Sequence, residues 1–305
     1  MLPRLALGTF PTPVERVDGL LPKSVELWVK REDQSGPLYG GNKVRKLEFL
    51  LGDARARGSD RIATIGGFGS HHVLATAIYG RAHGFSVSAV LFPQPMSEHV
   101  DKQLRADVAA GAHLSKTRGY LGVPLAVLRA QRGATWIPGG GSSPLGTLGY
   151  VEAAREIEAQ IAAGELLRPD AIYVALGSGG TAAGLLAGLT FDVDLVAVRV
   201  VDRVVANAMK VRRLARASRR LAEIRRHDFS ARLRVLHGFF GGAYGRATAA
   251  ADAAVHRAAN IGLRLEPTYT GKAMAALLAH AASGQLDGKR VLFLQTYNGV
   301  DLHYE

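Results

Sequence analysis

The sequence of 305 residues contains no cysteine. That absence excludes disulfides, thiolate-ligated zinc or iron–sulfur centres and any thiol nucleophile, and it fits any compartment. Aromatic residues are scarce, at 7%, and no RNA- or DNA-binding motif accompanies the basic residues. Acidic residues are in deficit: 26 Asp+Glu stand against 38 Lys+Arg, a formal charge of +12. A surplus of that size can attract nucleic acid or small anions, but much of it is local. Residues 199–234 hold twelve Lys/Arg against Asp202, Glu223 and Asp228, and the stretch from about Arg203 to Arg226 reads as one amphipathic helix with a basic, solvated face. Long apolar runs are missing too, with one exception. Ala171 to Phe191 carries no charge and is long enough to cross a bilayer. It begins as a β-branched strand, however, and breaks at Gly177, Gly179 and Gly180, so a strand, a loop and a helix are predicted instead. Pro11 and Pro13 interrupt the N-terminal segment before any apolar core develops, which argues against a signal peptide. The expectation is a cytoplasmic protein with neither membrane nor nucleic-acid partners.

What is present is globular: 48% hydrophobic and 21% charged residues. The length exceeds that of a single growing core, so two lobes are expected. Short apolar runs such as Glu26–Lys30, Arg61–Ile65, Ser86–Phe92, Ala171–Leu176, Leu195–Val200 and Arg290–Gln295 alternate with helical patterns. The helices are predicted near 43–57, 71–83, 97–110, 121–132, 146–163, 180–189, 203–225, 247–261 and 271–283. Alternation of this kind predicts an α/β fold with open parallel sheets and helices on both faces. Ligands then sit where strands run out into loops, and the glycines concentrate there: Tyr39-Gly-Gly-Asn-Lys, Gly66-Gly-Phe-Gly-Ser-His-His, Pro138-Gly-Gly-Gly-Ser-Ser and Gly177-Ser-Gly-Gly-Thr. Four such loops predict a large anionic ligand in a central cleft. With no low-complexity linker in sight, the second lobe is predicted to be inserted into the first.

Gly177-Ser178-Gly179-Gly180-Thr181 follows an apolar strand and opens a helix of small residues. N–H donors, two hydroxyls and the positive end of a helix dipole would converge there on a phosphate. A plain tight turn is the competing reading. A third is the dinucleotide pattern G-x-G-x-x-A through Ala182, with Asp202 as a somewhat late acid, which would make the protein a nicotinamide-dependent oxidoreductase. Upstream, Lys43 in Gly40-Gly41-Asn42-Lys43 falls just inside a predicted helix. The dipole there lowers an amine pKa, and a neutral amine is what Schiff-base chemistry requires. Lys46 and Lys272 compete on the same logic.

Lys30-Arg-Glu-Asp followed by Gly-Gly-Asn-Lys43-Val-Arg-Lys-Leu-Glu-Phe resembles the D-cysteine desulfhydrase and 1-aminocyclopropane-1-carboxylate deaminase family. These are pyridoxal-phosphate enzymes of fold type II, that of tryptophan synthase β. Further blocks agree in order: Gly69-Ser70-His71-His72, Gly177 to Thr181, Ala243-Tyr244-Gly245, Glu266-Pro-Thr-Tyr269-Thr-Gly-Lys-Ala-Met274 and Leu292-Phe-Leu-Gln-Thr296. The resemblance covers nearly the whole chain. It implies two open parallel-sheet lobes, a large one of residues 1–47 and 153–305 and a small inserted one of residues 48–152, with pyridoxal 5'-phosphate in the cleft between them. It implies that Lys43 carries the cofactor as a Schiff base. Gly177, Ser178, Gly179, Gly180 and Thr181 would hold its phosphate, with Asn42 and Thr296 completing the cofactor site. Ser70, Tyr244 and Tyr269 would be catalytic, and His71 and His72 would join Ser70 and both tyrosines around the substrate. Lys272 would be structural, while Asp33 and Glu266 read as members of structural ion pairs. No metal is implied. The implied reaction is α,β-elimination or deamination of a small amino acid, giving a 2-oxo acid and ammonia, in a homodimer.

Two positions depart from the family pattern. The loop usually reads Gln-Ser-Asn-His, and here His71 replaces the Asn while Gly69 replaces the Gln. Imidazole titrates near neutrality and binds a carboxylate more strongly when protonated, and Gly69 is expected to open space. The last strand has Thr296-Tyr297-Asn298 where Thr-Gly-Gly is usual, placing a bulky side chain beside the cleft. These departures leave open a non-catalytic or differently specialised pyridoxal-phosphate-binding protein, and the basic helix leaves open a nucleic-acid-binding one.

Overall fold

The computed structural model describes residues 2–225 and 228–302. In chain order the elements are β1 (Val14–Val17), β2 (Glu26–Lys30), α1 (Lys43–Ala56), β3 (Arg61–Gly67), α2 (His71–Ala82), β4 (Ser86–Phe92), α3 (Glu98–Ala109), β5 (His113–Lys116), α4 (Val123–Ala130), β6 (Thr135–Trp136) and α5 (Pro144–Ala162). They continue as β7 (Ala171–Leu176), α6 (Gly180–Gly188), β8 (Val193–Arg199), α7 (Ala208–Leu221), β9 (Ala231–Leu236), α8 (Ala249–Ala259), α9 (Thr270–Ala282) and β10 (Arg290–Leu294). The alternation read from the sequence is the alternation of the fold.

Two sheets result. One has the order β1-β2-β10-β7-β8-β9 and the other β5-β4-β3-β6. The pairs are parallel apart from the β1–β2 edge, where Val14 faces Lys30 in antiparallel register. The last strand, β10, inserts between β2 and β7, with Leu292 level with Trp28 on one side and Ile172 on the other. The central strands β7 and β10 of the large sheet are apolar on both faces, as burial under helices on both sides demands. Ile172, Val174 and Leu176 of β7 enter one core with Leu292 and Leu294, while Tyr173, Val291 and Phe293 enter the other. The charge-free stretch from Ala171 is thus β7, a loop and α6, and no described helix is long and apolar enough to cross a membrane.

Two elements differ from expectation. β1 escapes a reading by apolar runs because Val-Glu-Arg-Val is short and follows Pro13, and it lies at a sheet edge where half-exposed polar residues are tolerated. The basic helix is shorter than the predicted 203–226. Asn207 caps α7, its side chain accepting from Lys210 N at 3.0 Å, so residues 203–207 precede the helix; Arg226 lies outside the described residues. Nor is its basic face wholly solvated. Arg219 is buried over Phe229 and donates to Ala187 O and Asp228 O.

Two contacts fix the frame of the cleft. Gly184 and Gly188 let α6 approach α5, since a Cβ at Gly184 would fall 2.3 Å from Tyr150 Cβ and one at Gly188 2.6 Å from Ala154 Cβ. Beneath α1, a buried ionic cluster ties the helix to β2 and α5. Arg45 forks onto Glu32 with two bonds of 2.8 Å and also reaches Glu156, which pairs with Lys30. Tyr150 donates to Glu32 at 2.7 Å. Burial pushes the Glu32 carboxyl up, but Arg45 and then Lys30 and Tyr150 outweigh it and hold it at about 2.

Candidate active site

The C-terminal ends of β2, β7, β8 and β10 in the large sheet and of β3 in the small sheet open onto one cavity of about 520 Å³. Every residue the sequence singled out for the site lines it: Asn42, Lys43, Ser70, His71, His72, Gly177 to Thr181, Tyr244, Tyr269 and Thr296. These positions span more than two hundred residues of chain and meet because parallel strands deliver their following loops to a single edge.

Lys43 is the first residue of α1. Burial draws its amine down to about 8, against an opposing pull from the Glu266 carboxylate. Asn42 stands at the N-cap but makes no side-chain cap. Its Oδ1 accepts from Lys43 Nζ at 2.6 Å and its Nδ2 donates to Thr181 Oγ1 at 3.0 Å, so one amide links the lysine to the glycine loop.

The Gly177–Thr181 loop turns at Gly179, whose φ of +96° is left-handed and costly for any side chain. The first-turn N–H groups of α6 have no partner within the helix, and that of Gly180 donates to Ser142 Oγ at 3.0 Å. Ser142 also shares a 2.7 Å bond with Ser178, which brings the Pro138–Ser143 glycine loop over the first one. Lys46 Nζ reaches Gly140 O at 3.1 Å and would lie 2.9 Å from a Cβ on Gly180. By local sequence Lys46 is only a rival to Lys43. Its place one turn along α1 puts a second amine at the cup, drawn well below its usual range by burial and then by Lys43. The donor set, a left-handed glycine, two hydroxyls, a helix N-terminus and an amine, fits a phosphate.

Tyr244 and Tyr269 share a hydroxyl–hydroxyl bond of 2.5 Å, with the Tyr269 ring packed beside Gly177. Burial raises both phenols, Tyr244 to about 12 and Tyr269 well above its usual value. They are therefore proton donors near neutrality and poor acceptors. Glu266 departs from the expected ion pair: it accepts from the N–H groups of Thr268, Tyr269 and Thr270 at 2.7–2.9 Å and so caps the entrance to α9. A carboxylate there completes orphan helix donors. Asp33 does pair, with Arg31 at 2.8 Å. Lys272 is buried and donates to Phe240 O at 2.7 Å, a structural tie.

Ser70 caps α2, its side chain accepting from Val73 N. His72 bonds Thr64 Oγ1 at 2.9 Å, and Thr64 donates on to Ile137 O, so this ring joins the loop to the small sheet. His71 Nδ1 bonds Tyr39 hydroxyl at 2.9 Å, and Tyr297 stands edge-on to the ring at 5.1 Å, beside the cleft as expected. Two expectations fail here. Burial, His99 and Lys43 hold His71 well below the usual histidine range, so it presents a neutral imidazole rather than a cation. Gly69 does not open space: a Cβ there would fall 2.8 Å from Gln94 Nε2 and 3.1 Å from Val100 Cγ2. The glycine accommodates a side chain from elsewhere in the chain, which local sequence cannot reveal.

Comparisons with known proteins give the family and the fold. A family profile described as pyridoxal-phosphate dependent enzyme matches residues 5–296. A Pyrococcus abyssi protein named as a 1-aminocyclopropane-1-carboxylate deaminase is 33% identical, over 96% of this chain and 91% of its own. A D-cysteine desulfhydrase of Salmonella typhi is 34% identical, over 96% and 93%. Among solved structures, an ACC deaminase homologue superposes with a TM-score of 0.83 at 30% identity, covering 97% of this chain and 92% of that one. A fungal L-serine ammonia-lyase from Rhizomucor miehei shares the fold, with a TM-score of 0.65 at 19% identity.

Proposed function

Because the chain belongs to the pyridoxal-phosphate dependent enzymes, we propose that it is a lyase that expels a leaving group from the β-carbon of a small amino acid, releasing a 2-oxo acid and ammonia. The observation that carries this reading is Lys43, an amine drawn down to about 8 inside a cavity that also holds a phosphate cup and a pair of protonated phenols. The names of the relatives, a 1-aminocyclopropane-1-carboxylate deaminase and a D-cysteine desulfhydrase, support the same class of chemistry.

In this reading Lys43 holds the cofactor and Asn42 orients its amine. Gly177, Ser178, Gly179, Gly180 and Thr181 hold the phosphate, with Lys46 beside it and Thr296 near the ring. Bound pyridoxal phosphate supplies an electron sink for the substrate α-carbon. The protein's part is to position and to move protons. Ser70 and the first-turn N–H groups of α2 receive the substrate carboxylate at the positive end of that helix. Lys43 Nζ would accept the substrate α-proton, since an amine near pH 8 is partly neutral at physiological pH. The hydroxyl pair of Tyr244 and Tyr269 hands a proton to the departing group. The strand–helix units of the four-stranded sheet support the inserted small lobe of residues 48–152 against a large lobe of 1–47 and 153–305. A cytoplasmic homodimer completes the proposal.

The test is the absorption spectrum of the purified protein, followed by titration with D- and L-amino acids. A cofactor band that shifts on adding substrate, with pyruvate formed from β-chloroalanine, is expected. A cofactor band with no turnover across the panel would instead indicate a binding protein.

A further inference from the structure

Four apolar side chains around the four-stranded sheet turn to the cavity and join no core. Phe92 ends β4, and Tyr120, Val123 and Pro124 lie on the turn beyond β5 that leads into α4. All four line the cavity, and all four stand outside the apolar clusters that hold the fold together. Tyr120 remains 67% exposed, although its hydroxyl is tied to Pro93 O at 3.3 Å. Apolar side chains that line a ligand cavity without entering a core mark a surface that an apolar group can cover.

Contacts between rings set this surface beside the chemistry. The Phe92 ring centroid lies 5.8 Å from that of Tyr120 and 6.1 Å from that of Tyr244. Gly67 makes room for the second contact: a Cβ there would fall 2.8 Å from Tyr244 Cε1 and 3.3 Å from Phe92 Cε2. Tyr244 shares its hydroxyl with Tyr269, and in the proposed reaction that pair protonates the departing group. A substituent on the departing atom therefore meets the Tyr244 ring, with Phe92 and Tyr120 behind it.

The charges exclude a second anionic group on the substrate. Among the described residues no arginine lines the cavity, although the chain carries a formal +12. Its two lysines are engaged, Lys43 at Asn42 and Lys46 at the phosphate cup. His71 and His72 are held neutral by burial first and by nearby cations second. Asp202 and Glu266 add carboxylates to the lining. A sulfonate, phosphate or carboxylate on the β-substituent would lose water there and find no cation.

We propose that Phe92, Tyr120, Val123 and Pro124, with the ring of Tyr244, form a subsite for an uncharged aromatic group on the substrate's β-substituent, and that the enzyme cleaves aromatic thioethers of cysteine. The proposal rests on the lyase reading above and names the leaving group in it. With S-benzylcysteine the α-proton passes to Lys43. The Cβ–S bond breaks with its electron pair on sulfur, which takes a proton from the tyrosine pair. Water hydrolyses the released 2-aminoacrylate, and the products are phenylmethanethiol, pyruvate and ammonia. Aromatic rings stack on aromatic walls, so Tyr120 is a determinant of specificity.

The test measures pyruvate formation by the holoenzyme from S-benzyl-, S-methyl- and S-carboxymethylcysteine, each as D and L forms, with β-chloroalanine as reference. The benzyl compound should exceed the methyl one in kcat/KM by about 10- to 100-fold, the worth of burying one aromatic group, and mainly through KM. The carboxymethyl compound should fall below the methyl one. Tyr120→Ala should cut the benzyl-to-methyl ratio about fivefold, and Tyr120→Phe should keep it. Turnover of β-chloroalanine with equal kcat/KM for benzyl and methyl compounds, or with the carboxymethyl compound preferred, would overturn the subsite and leave the lyase reading standing. If β-chloroalanine is not turned over, the lyase reading fails, and calorimetric titration with the same compounds still decides. Tighter binding of the benzyl form, weakened in Tyr120→Ala and kept in Tyr120→Phe, sustains the subsite, and equal binding refutes it.

Discussion

Asp107, in the last turn of α3, is fully buried, and no hydrogen bond reaches either carboxyl oxygen among the described residues. Burial alone pushes its carboxyl from 3.8 up to about 8. The folded protein therefore binds a proton at Asp107 across a window in which the unfolded chain has released it. Because the folded pKa is the higher one, folded stability falls as pH rises through that window, at ~1.4 kcal/mol per pH unit for one proton. Between pH 5 and pH 7 the loss from this group amounts to ~3 kcal/mol. Asp107→Asn, nearly the same shape but without a titrating proton, should abolish this slope. Urea unfolding of both proteins at half-unit steps from pH 5 to pH 7.5 measures it. His71 and His72, both drawn down by burial, titrate in both proteins and cancel in the difference. The native protein should lose ~3 kcal/mol relative to the variant between pH 5 and 7. Parallel curves would refute the reasoning, since they would mean that water or a cation reaches Asp107 in the folded state.

The other predictions concern the site. Borohydride reduction and peptide mapping should place the pyridoxyl group on Lys43, and label on Lys46 or Lys272 would defeat that assignment. Gly179→Asp should weaken cofactor binding by ~100-fold, as it adds left-handed strain and a negative charge at the cup, while Ser178→Ala should cost no more than ~10-fold; equilibrium dialysis measures both. The pH midpoint of Lys43 acylation in the apoprotein should lie near 8 and fall in Glu266→Gln, because that carboxylate supports the charged amine; an unmoved midpoint counts against their coupling. 1-Aminocyclopropane-1-carboxylate should be a poor substrate, because Thr296, which the proposed function places near the ring, offers the pyridine nitrogen a hydroxyl and not a carboxylate. A hydroxyl does not hold a pyridine nitrogen protonated as a carboxylate does, and efficient release of 2-oxobutyrate would contradict this.

Much of this site is legible in sequence because its parts are local. A glycine loop after an apolar strand, a lysine at a helix start and a serine cap are each set within a few residues, and parallel topology then converges them. What could not be read depends on distant chain. Nothing near Arg290–Leu294 says that this strand enters between β2 and β7. Nothing in Gly69 says that Gln94 occupies the space beside it. Glu266 looks like any acidic residue until the turn into α9 directs three N–H groups at it. The neutral state of His71 likewise depends on burial and on His99 and Lys43, not on its neighbours in sequence.

The ionic cluster under α1 bears on how such an enzyme can diversify. Arg45 and Lys43 are two residues apart, so they point about 200° apart around the helix. One face is therefore anchored by Glu32 and Glu156 while the other presents the amine. Replacing any one member of the cluster strands a buried charge, at ~3–5 kcal/mol, so this face can drift only through concerted changes. The loops around Gly69–His72 and Thr296–Asn298 share none of the cluster's bonds. A lineage can thus rebuild the substrate pocket residue by residue, exchanging Asn for His71 or Gly for Tyr297, while the lysine keeps its aim through every intermediate.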